Sequence, residues 1–177
     1  NVNQNIEITY TDFAKEDNWP GLIKENTKMI WLETPSNPLL KLVDINKIKK
    51  EIRNDDIKIV CDNTFASPYN QQPLTLGADV VLHSSTKYLG GHSDIIGGAI
   101  IINNDNKLAE KIKYLQNAIG AVPSPFDCYM LIRSIKTLSV RMEKHNSNAM
   151  IISEHLNNHP KVKKIRYPGL KQDLNHN

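Results

Sequence analysis

The sequence predicts an α/β protein with a mostly parallel sheet that is flanked by helices and followed by long helices. Three observations predict this fold class. Short, β-branched apolar runs such as "ADVVLH" (78–83) are typical of strands buried on both faces of a parallel sheet. These runs alternate with segments of helical periodicity. A helical apolar pattern then continues through residues 123–160.

The first part of the chain contains the sheet. Four apolar runs predict strands at 28–33, 57–62, 79–83 and 97–103. Between the first two, Ile45, Ile48 and Ile52 recur at helical spacing and predict a helix over 43–54. The segment 106–120 predicts an amphipathic helix with Leu108, Ile112, Leu115 and Ile119 on one face. Because strands and helices alternate, we expect helices to cover both faces of the sheet.

The chain changes character near residue 125. Ser124 is a suitable N-cap, with Pro125 at the first helical position. The helical pattern to residue 160 predicts two helices or one bent helix, and "KVKKIRYPG" (161–169) predicts the start of another strand. We therefore expect an α/β domain over 1–125, connecting long helices over 126–160, and the start of a further domain at 161–177.

Composition excludes several classes of protein. The net charge of +3 comes from Lys and Arg dispersed through helical patterns, which favours solvated faces over a nucleic-acid surface. The longest apolar candidate, 94–104, is too short to span a membrane. Cys61 and Cys128 lack a CxxC partner, which favours a reducing, cytoplasmic location over a disulfide framework. The opening "NVNQN" has no initiator Met, so we expect the sequence to be cut from a longer chain.

The stretch "SSTKYLGGHSD" (84–94) places Lys87 just past the predicted strand 79–83. The carboxyl ends of strands form the edge at which open α/β sheets bind ligands. A lysine amine becomes a useful nucleophile when it is desolvated, close to other cations, or condensed with an aldehyde. Ser84 and Thr86 offer hydroxyl donors suited to a phosphate. Together these residues predict a site for a phosphorylated aldehyde, pyridoxal 5'-phosphate.

Asp62 and Asn37 complete the predicted cofactor site. The pyridine nitrogen needs a carboxylate that keeps it protonated, since the pyridinium ring is the electron sink. Asp62 ends the predicted strand 57–62 and is thus expected at the same edge as Lys87. Asn37 follows the strand 28–33 and can donate a hydrogen bond to the ring phenolate.

Three stretches carry a family resemblance. The segments "ETPSNP" (33–38), "VCDNTFASPYNQQPLTLGADVVLHSSTKYLGGHSD" (60–94) and "NAIGAVPSPFDCYMLIRSIKTLSVRMEKH" (117–145) resemble the central part of the pyridoxal-phosphate enzymes of transsulfuration, the Cys/Met metabolism family. The resemblance implies a fold-type I, aminotransferase-like large domain. It also implies that Lys87 binds the cofactor covalently, Asp62 pairs with the pyridine nitrogen, Ser84 and Thr86 bind phosphate, and Asn37 contacts the phenolate oxygen.

The resemblance is strongest to the γ-lyases of this family and implies an activity. The implied reaction is γ-elimination of L-cystathionine to cysteine, 2-oxobutanoate and ammonia, by a homotetramer of dimers that share active sites. Cystathionine γ-synthase, cystathionine β-lyase and methionine γ-lyase activities stay open, because all share the same ring chemistry.

The resemblance also implies that parts of the family's chain are absent. That chain is more than twice as long, and the missing parts are an N-terminal arm, the Gly-rich phosphate loop with its ring-stacking tyrosine, and the C-terminal domain with its substrate-binding arginine. The segment 1–125 would then be a cofactor domain without its N-terminal part, and 161–177 the start of a truncated C-terminal domain. A catalytically inactive assembly module is therefore a second alternative.

Other motif interpretations fit less well. "SSTK" (84–87) matches the S-x-x-K motif of penicillin-recognising enzymes, but the sequence has "HSDI" (92–95) and "IKTL" (135–138) where S-D-N and K-T-G are required. The Walker pattern G-x-x-x-x-G-K-[ST] is absent. His92, beside Gly90, Gly91 and Asp94, favours a backbone turn over a metal site, because no second His or Cys stands at ligand spacing.

Overall fold

The computed structural model describes residues 5–15, 18–52, 54–103, 105–174 and 176. Arg53, near the end of the predicted helix 43–54, lies outside these residues. The strands and α-helices are β1 (Met29–Glu33), α1 (Ile45–Glu51), β2 (Lys58–Asp62), α2 (Ser67–Asn70), β3 (Val80–Ser84), β4 (Gly98–Ile102), α3 (Asn106–Ala118), α4 (Pro125–Ile135) and α5 (Leu138–Asn157). A π-helical turn, Ser85–Leu89, follows β3 directly.

The four strands form one sheet in the order β1-β2-β3-β4. β1 pairs with β2 and β2 with β3 in parallel, whereas β4 runs antiparallel to β3. The predicted mostly parallel sheet is thus confirmed, with one antiparallel edge strand. In this register Glu33 lies beside Asp62, and Asp62 beside Leu82. The carboxyl ends of the three parallel strands therefore meet along one edge of the sheet.

The main core lies on one face of the sheet, beneath α1. Asp44 caps α1 by accepting a hydrogen bond from the Lys47 amide at 2.9 Å, and the helix buries Ile45 and Ile48 against the strands. The buried residues of this core are Trp19, Ile30, Leu32, Ile45, Ile48, Ile52, Ile57, Ile59, Cys61, Ala78 and Val81. Alternate residues of β1 and β2 supply this face, as the period of two of a strand requires.

The opposite face of the sheet is only partly covered. Trp31, Val60 and Val80 lie in one row across three strands. Val60 and Val80 are buried, but Trp31 is 58% exposed. The expectation that helices cover both faces is thus wrong for β1, because no described helix reaches the outer side of this edge strand.

The predicted amphipathic helix 106–120 forms as α3, and its apolar face is only partly buried. Leu108 and Ile112 are half-buried, while Leu115 and Ile119 are exposed. No residue of α3 is buried. The sequence correctly predicts the helix because periodicity is a local property, whereas burial needs a partner surface, and no described element packs along this stripe.

The region after residue 123 forms two helices, as one of the sequence alternatives predicts. The Ser124 hydroxyl accepts a hydrogen bond from the Asp127 amide at 3.1 Å, and Pro125 begins α4. The segment 161–169 is not a strand in the structure but an irregular segment with turns. It lies beside no strand of the sheet, and a strand is stable only when its backbone groups are paired. Among the described residues, no helix combines the length and apolarity that a bilayer span requires.

Truncating a buried side chain in the central strand β2 should destabilise the fold. Ile59 is fully buried in β2, so Ile59→Ala leaves a cavity and should lower the free energy of unfolding by about 2–5 kcal/mol. Urea denaturation followed by circular dichroism measures this loss. Lys50→Ala, at an exposed position of α1, serves as the control and should change the free energy by less than about 0.5 kcal/mol. Equal effects of the two substitutions would contradict the described core.

Candidate active site

Asp62 and Ser84 lie at the carboxyl ends of the neighbouring strands β2 and β3. Thr64 connects them. Its amide donates a hydrogen bond to Asp62 Oδ1 at 3.0 Å, and its hydroxyl accepts one from the Ser84 amide at 2.8 Å. Both Asp62 and Ser84 are half-buried. The two predicted residues are thus held together at one edge of the sheet, through a threonine that the sequence analysis did not single out.

A buried amide network fixes the chain directly after Asp62. Asn63 is fully buried, and its side chain donates to the Gln71 carbonyl at 2.8 Å. Gln71 Nε2 donates both to Asn63 Oδ1 at 2.9 Å and to the Thr34 carbonyl at 3.0 Å. The network therefore joins the loops that follow β1 and β2. Buried amides with all partners satisfied make a rigid support, because breaking one bond strands a polar group away from water.

Lys87 lies in the π-helical turn Ser85–Leu89 that follows β3. Its backbone is not helical, with φ −91° and ψ −124°. The Gly91 amide donates to the Lys87 carbonyl at 2.6 Å, and the Gly90 amide donates to the Ser85 carbonyl at 2.8 Å. The lysine side chain is exposed. The turn thus presents Lys87 on the surface at the same sheet edge as Asp62 and Ser84.

Thr86 joins the turn to the chain that enters β4. Its hydroxyl accepts a hydrogen bond from the Gly97 amide at 3.0 Å, and the Ser85 amide donates to the Gly97 carbonyl at 2.9 Å. A side chain at residue 97 would meet this turn, since a Cβ placed there would lie 2.8 Å from Ser85 Oγ. The absence of a side chain at Gly97 therefore allows the turn and β4 to approach each other closely.

The turn lines an open cleft of about 600 Å³, within the range of roughly 300–1,000 Å³ that is usual for small-molecule sites. The residues that line it are Phe65, Thr86, Lys87, Tyr88, Gly91, Ser93, Asp94, Ile95, Ile96 and His145. His145, from α5, also lines the cleft, and its ring centroid lies 5.4 Å from the ring centroid of Tyr88. The cleft thus has contributions from both the sheet edge and the long helix.

Asn37 lies apart from the other predicted site residues. It is exposed on a turn after β1, where its amide donates to Glu33 Oε1 at 3.2 Å. Like Asp62 and Ser84, it does not line the cleft, and no hydrogen bond joins it to the other four predicted residues in the described part of the chain. Asn37 shares only the sheet edge with them, so its contact with the cofactor stays a prediction.

The donor set fits pyridoxal phosphate. An exposed amine, a carboxylate and two hydroxyls come from the ends of the paired strands β2 and β3 and from the turn that follows β3. Ser84 Oγ makes no capping hydrogen bond to the turn, and the Thr86 hydroxyl has only a long contact of 3.4 Å to an acceptor, the Gly97 carbonyl. Both hydroxyls can therefore donate to a phosphate oxygen. The roles of Lys87, Asp62, Ser84 and Thr86 stay predictions that this arrangement supports.

Two buried neighbours of Asp62 have displaced pKa values. Burial, with a smaller contribution from the Asp62 charge, raises the pKa of the Cys61 thiol to about 12. Burial lowers the pKa of His83 in β3, although the Asp62 charge opposes this shift. Both groups are therefore uncharged at neutral pH.

Sequence reasoning missed three residues that shape this site. Thr64 had a usable local signal, because Asp62 precedes it by two residues and an aspartate oxygen often accepts the amide two residues on. His145 and Arg141 had none. Both lie on α5, more than fifty residues after Lys87, and only the packing of that helix brings them to the turn.

Comparisons with known proteins bear on the cofactor that the sequence predicts. A family model described as "Cys/Met metabolism PLP-dependent enzyme" matches residues 1–177. The chain is 54% identical over 172 residues to a protein of Herpetosiphon aurantiacus named "Probable cystathionine gamma-synthase", covering 97% of this chain and 54% of that protein. It is 50% identical over 171 residues to a Coxiella burnetii protein named "Cystathionine beta-lyase", covering 97% of this chain and 44% of that one.

A solved structure shows the same fold. The crystal structure of cystathionine gamma-lyase from Lactobacillus plantarum, complexed with L-serine, matches with a TM-score of 0.89 and 47% sequence identity. The match covers 94% of this chain and 44% of that one. The chain thus spans about half the length of the relatives it matches.

The Cys61 thiol should be unreactive in the folded protein. With a pKa of about 12 instead of 9.0, it holds on the order of 1,000-fold less thiolate at pH 8 than an ordinary thiol. A disulfide reagent with peptide mapping should therefore label the half-buried Cys128 first, and Cys61 only after unfolding in urea. The raised pKa also makes the free energy of unfolding depend on pH. The contribution of the Cys61 thiol is constant below pH 9 and falls as the pH rises above 9, because only the unfolded chain then loses this proton. Rapid labelling of Cys61 in the folded protein would contradict its described burial.

Proposed function

The chain belongs to the family of Cys/Met metabolism PLP-dependent enzymes, and from this premise we propose that it is the central part of a longer carbon–sulfur lyase acting on cystathionine. The observation that carries the proposal is the placement of Asp62, Ser84, Thr86 and Lys87 at one sheet edge. The proposed reaction is hydrolytic γ-elimination, in which L-cystathionine and water give cysteine, 2-oxobutanoate and ammonia.

Each residue has a distinct task in this proposal. Bound pyridoxal phosphate supplies a protonated ring that accepts the electron pair released at the substrate Cα. Lys87 would hold the cofactor aldehyde through its ε-amine until the substrate amine displaces it. The freed ε-amine would then remove the Cα proton and transfer protons between Cα and Cβ, so that the γ-sulfur can leave. Asp62 keeps the ring nitrogen protonated, and Ser84 and Thr86 orient the phosphate. Asn37 donates to the ring phenolate.

The name of one relative favours a second candidate, cystathionine γ-synthase. The Herpetosiphon protein with that name is 54% identical to this chain. A γ-synthase uses the same proton transfers at Cα and Cβ but replaces the γ-substituent with cysteine. The β-lyase and methionine γ-lyase activities likewise need the same four residues, so the described cleft supports all of them.

We further propose a cytoplasmic homotetramer built from dimers whose two subunits share active sites. Support comes from a run of exposed apolar side chains between residues 114 and 132. These are Tyr114, Leu115, Ile119, Val122, Phe126, Tyr129 and Ile132. Together with the exposed Lys87, this surface indicates that the described half needs covering by further chain. The proposed organisation is a partial cofactor domain over 1–125, connecting helices over 126–160, and the start of a C-terminal domain at 161–177.

Separate substitutions should distinguish the tasks of Lys87 and Asp62. In the intact protein, borohydride reduction with pyridoxal phosphate should label Lys87, and Lys87→Ala should remove both label and turnover. Asp62→Ala should keep the label but lower kcat by on the order of 10³-fold or more, because an unprotonated ring is a poor electron sink.

The control for this pair is Asp56→Ala, at an exposed position in the turn before β2, which should leave kcat unchanged. Near-normal turnover of Asp62→Ala, or a label on a lysine other than Lys87, would overturn the assignment.

Product analysis should decide among the activities. Intact protein given cystathionine should release 2-oxobutanoate and cysteine, whereas a γ-synthase given O-acylhomoserine and cysteine forms cystathionine. Formation of pyruvate and homocysteine from cystathionine would identify a β-lyase instead. The same assays on the isolated 177 residues should detect no 2-oxobutanoate, and light scattering should detect association through the exposed apolar run. An active, monomeric chain of 177 residues would contradict the shared-site proposal.

A further inference from the structure

Arg141, in the first turn of α5, makes three hydrogen bonds that join two helices to the turn of Lys87. Nη1 donates to the Tyr88 carbonyl at 2.7 Å, and Nη2 donates to the Ser134 carbonyl near the end of α4 at 3.0 Å. Nε donates to Thr137 Oγ1 at 3.1 Å. The side chain is half-buried. One guanidinium therefore bridges the residue after Lys87 to the α4–α5 junction.

Gly91 shows how closely this guanidinium approaches the lysine turn. A Cβ placed on Gly91 would lie 2.2 Å from Arg141 Nη1 and 2.6 Å from its Cζ. Gly91 also has φ +76° and donates its amide to the Lys87 carbonyl at 2.6 Å. The turn thus leaves the space of one side chain free, and Arg141 fills it. The atom nearest to this position is Nη1, which also donates to the Tyr88 carbonyl.

Apolar packing brings the same two elements together. Leu89, at the end of the lysine turn, packs in a small core with Leu138 and Met142 of α5. Met142 follows Arg141 directly and is 1% exposed. The start of α5 is therefore anchored on the turn, which fixes the point from which the Arg141 side chain extends.

We infer that Arg141 is a positioning residue that holds the turn in the conformation that presents the Lys87 ε-amine to the cleft. The inference rests on the proposed role of Lys87. The turn needs such support because Lys87 interrupts its helical geometry, so the helical ladder alone does not define the direction of the side chain. Arginine suits the task because its planar fork donates in several directions at once, which the single ammonium of lysine cannot reproduce.

The test measures Lys87 directly and does not depend on turnover. Intact protein is incubated with a limiting concentration of pyridoxal phosphate and then reduced with borohydride. The ε-amine condenses with the aldehyde with loss of water, and the reductant converts the new C=N bond to a stable amine. Peptide mass spectrometry gives the label on Lys87 relative to Lys113, an exposed lysine on α3.

Arg141→Ala should lower this labelling ratio by about tenfold or more, since it removes charge-assisted hydrogen bonds to the turn. Millimolar guanidinium should restore the ratio in Arg141→Ala and leave the wild-type ratio unchanged. Arg141→Lys should give an intermediate ratio, because lysine keeps the positive charge but cannot donate the three hydrogen bonds of the guanidinium. Lys144→Ala, an exposed cation one turn further along α5, is the control and should match wild type.

Substitutions at two glycines distinguish the effect of crowding Arg141 from the effect of backbone strain. Gly91 and Gly120 have similar φ values of +76° and +72°, but a Cβ on Gly120 would meet nothing within 4 Å. Gly91→Ala should therefore lower the ratio as Arg141→Ala does, and Gly120→Ala should not.

The possible outcomes separate this inference from the proposed function. A wild-type protein without label on Lys87 would overturn the proposed function itself. With wild type labelled on Lys87, an unchanged ratio in Arg141→Ala would overturn the positioning role. The positioning role would also be overturned if the labelling ratio fell in parallel with the melting temperature and guanidinium did not restore it. Such a result would indicate general destabilisation, which guanidinium does not relieve.

Discussion

The parallel pairing of β2 with β3 is the constraint from which the geometry of the site follows. It aligns Asp62 with Leu82 and thereby brings the ends of both strands to one edge. The Asn63 amide extends the pairing by donating to the Leu82 carbonyl at 2.9 Å, and Thr64 then reaches the Ser84 amide. The Asp62 carboxylate and the lysine turn, 25 residues apart in the sequence, are in this way held at one edge by the strand pairing and by the two hydrogen bonds of Thr64.

Rigidity beneath the site and exposure above it have different causes. The fully buried Asn63 and the half-buried Gln71 hydrogen-bond to each other, and Gln71 also donates to the Thr34 carbonyl, so the loops beneath the carboxylate have one favourable arrangement. The lysine turn is joined to the chain entering β4 through Ser85 and Thr86, and to α5 through Arg141. Lys87 is nevertheless exposed, because the described cleft is open. A site of this kind holds its reacting groups in place while it relies on further surface to exclude water.

The uneven burial of the sheet is consistent with a chain that spans about half the length of its relatives. The core beneath α1 is complete, with Ile59 and Cys61 fully buried, whereas Trp31 on the other face of the edge strand is mostly exposed. Burial of apolar surface is the main favourable term in folding, so exposed faces of this size have a cost that a covering surface removes. The same consideration applies to the apolar stripe of α3.

The sequence by itself determined the strands, the two long helices and the chemistry at the strand ends. Buried runs such as 79–83 are recognised by local periodicity, and Lys87, Asp62 and Ser84 follow from the position of each residue just after or at the end of such a run. Only the tertiary structure decided that β4 runs antiparallel, that α3 leaves its apolar face exposed and that Arg141 reaches the lysine turn. These features depend on contacts between segments distant in sequence. Periodicity and turn chemistry describe a residue's neighbours along the chain, whereas strand direction and helix burial depend on which surfaces the folded chain brings together.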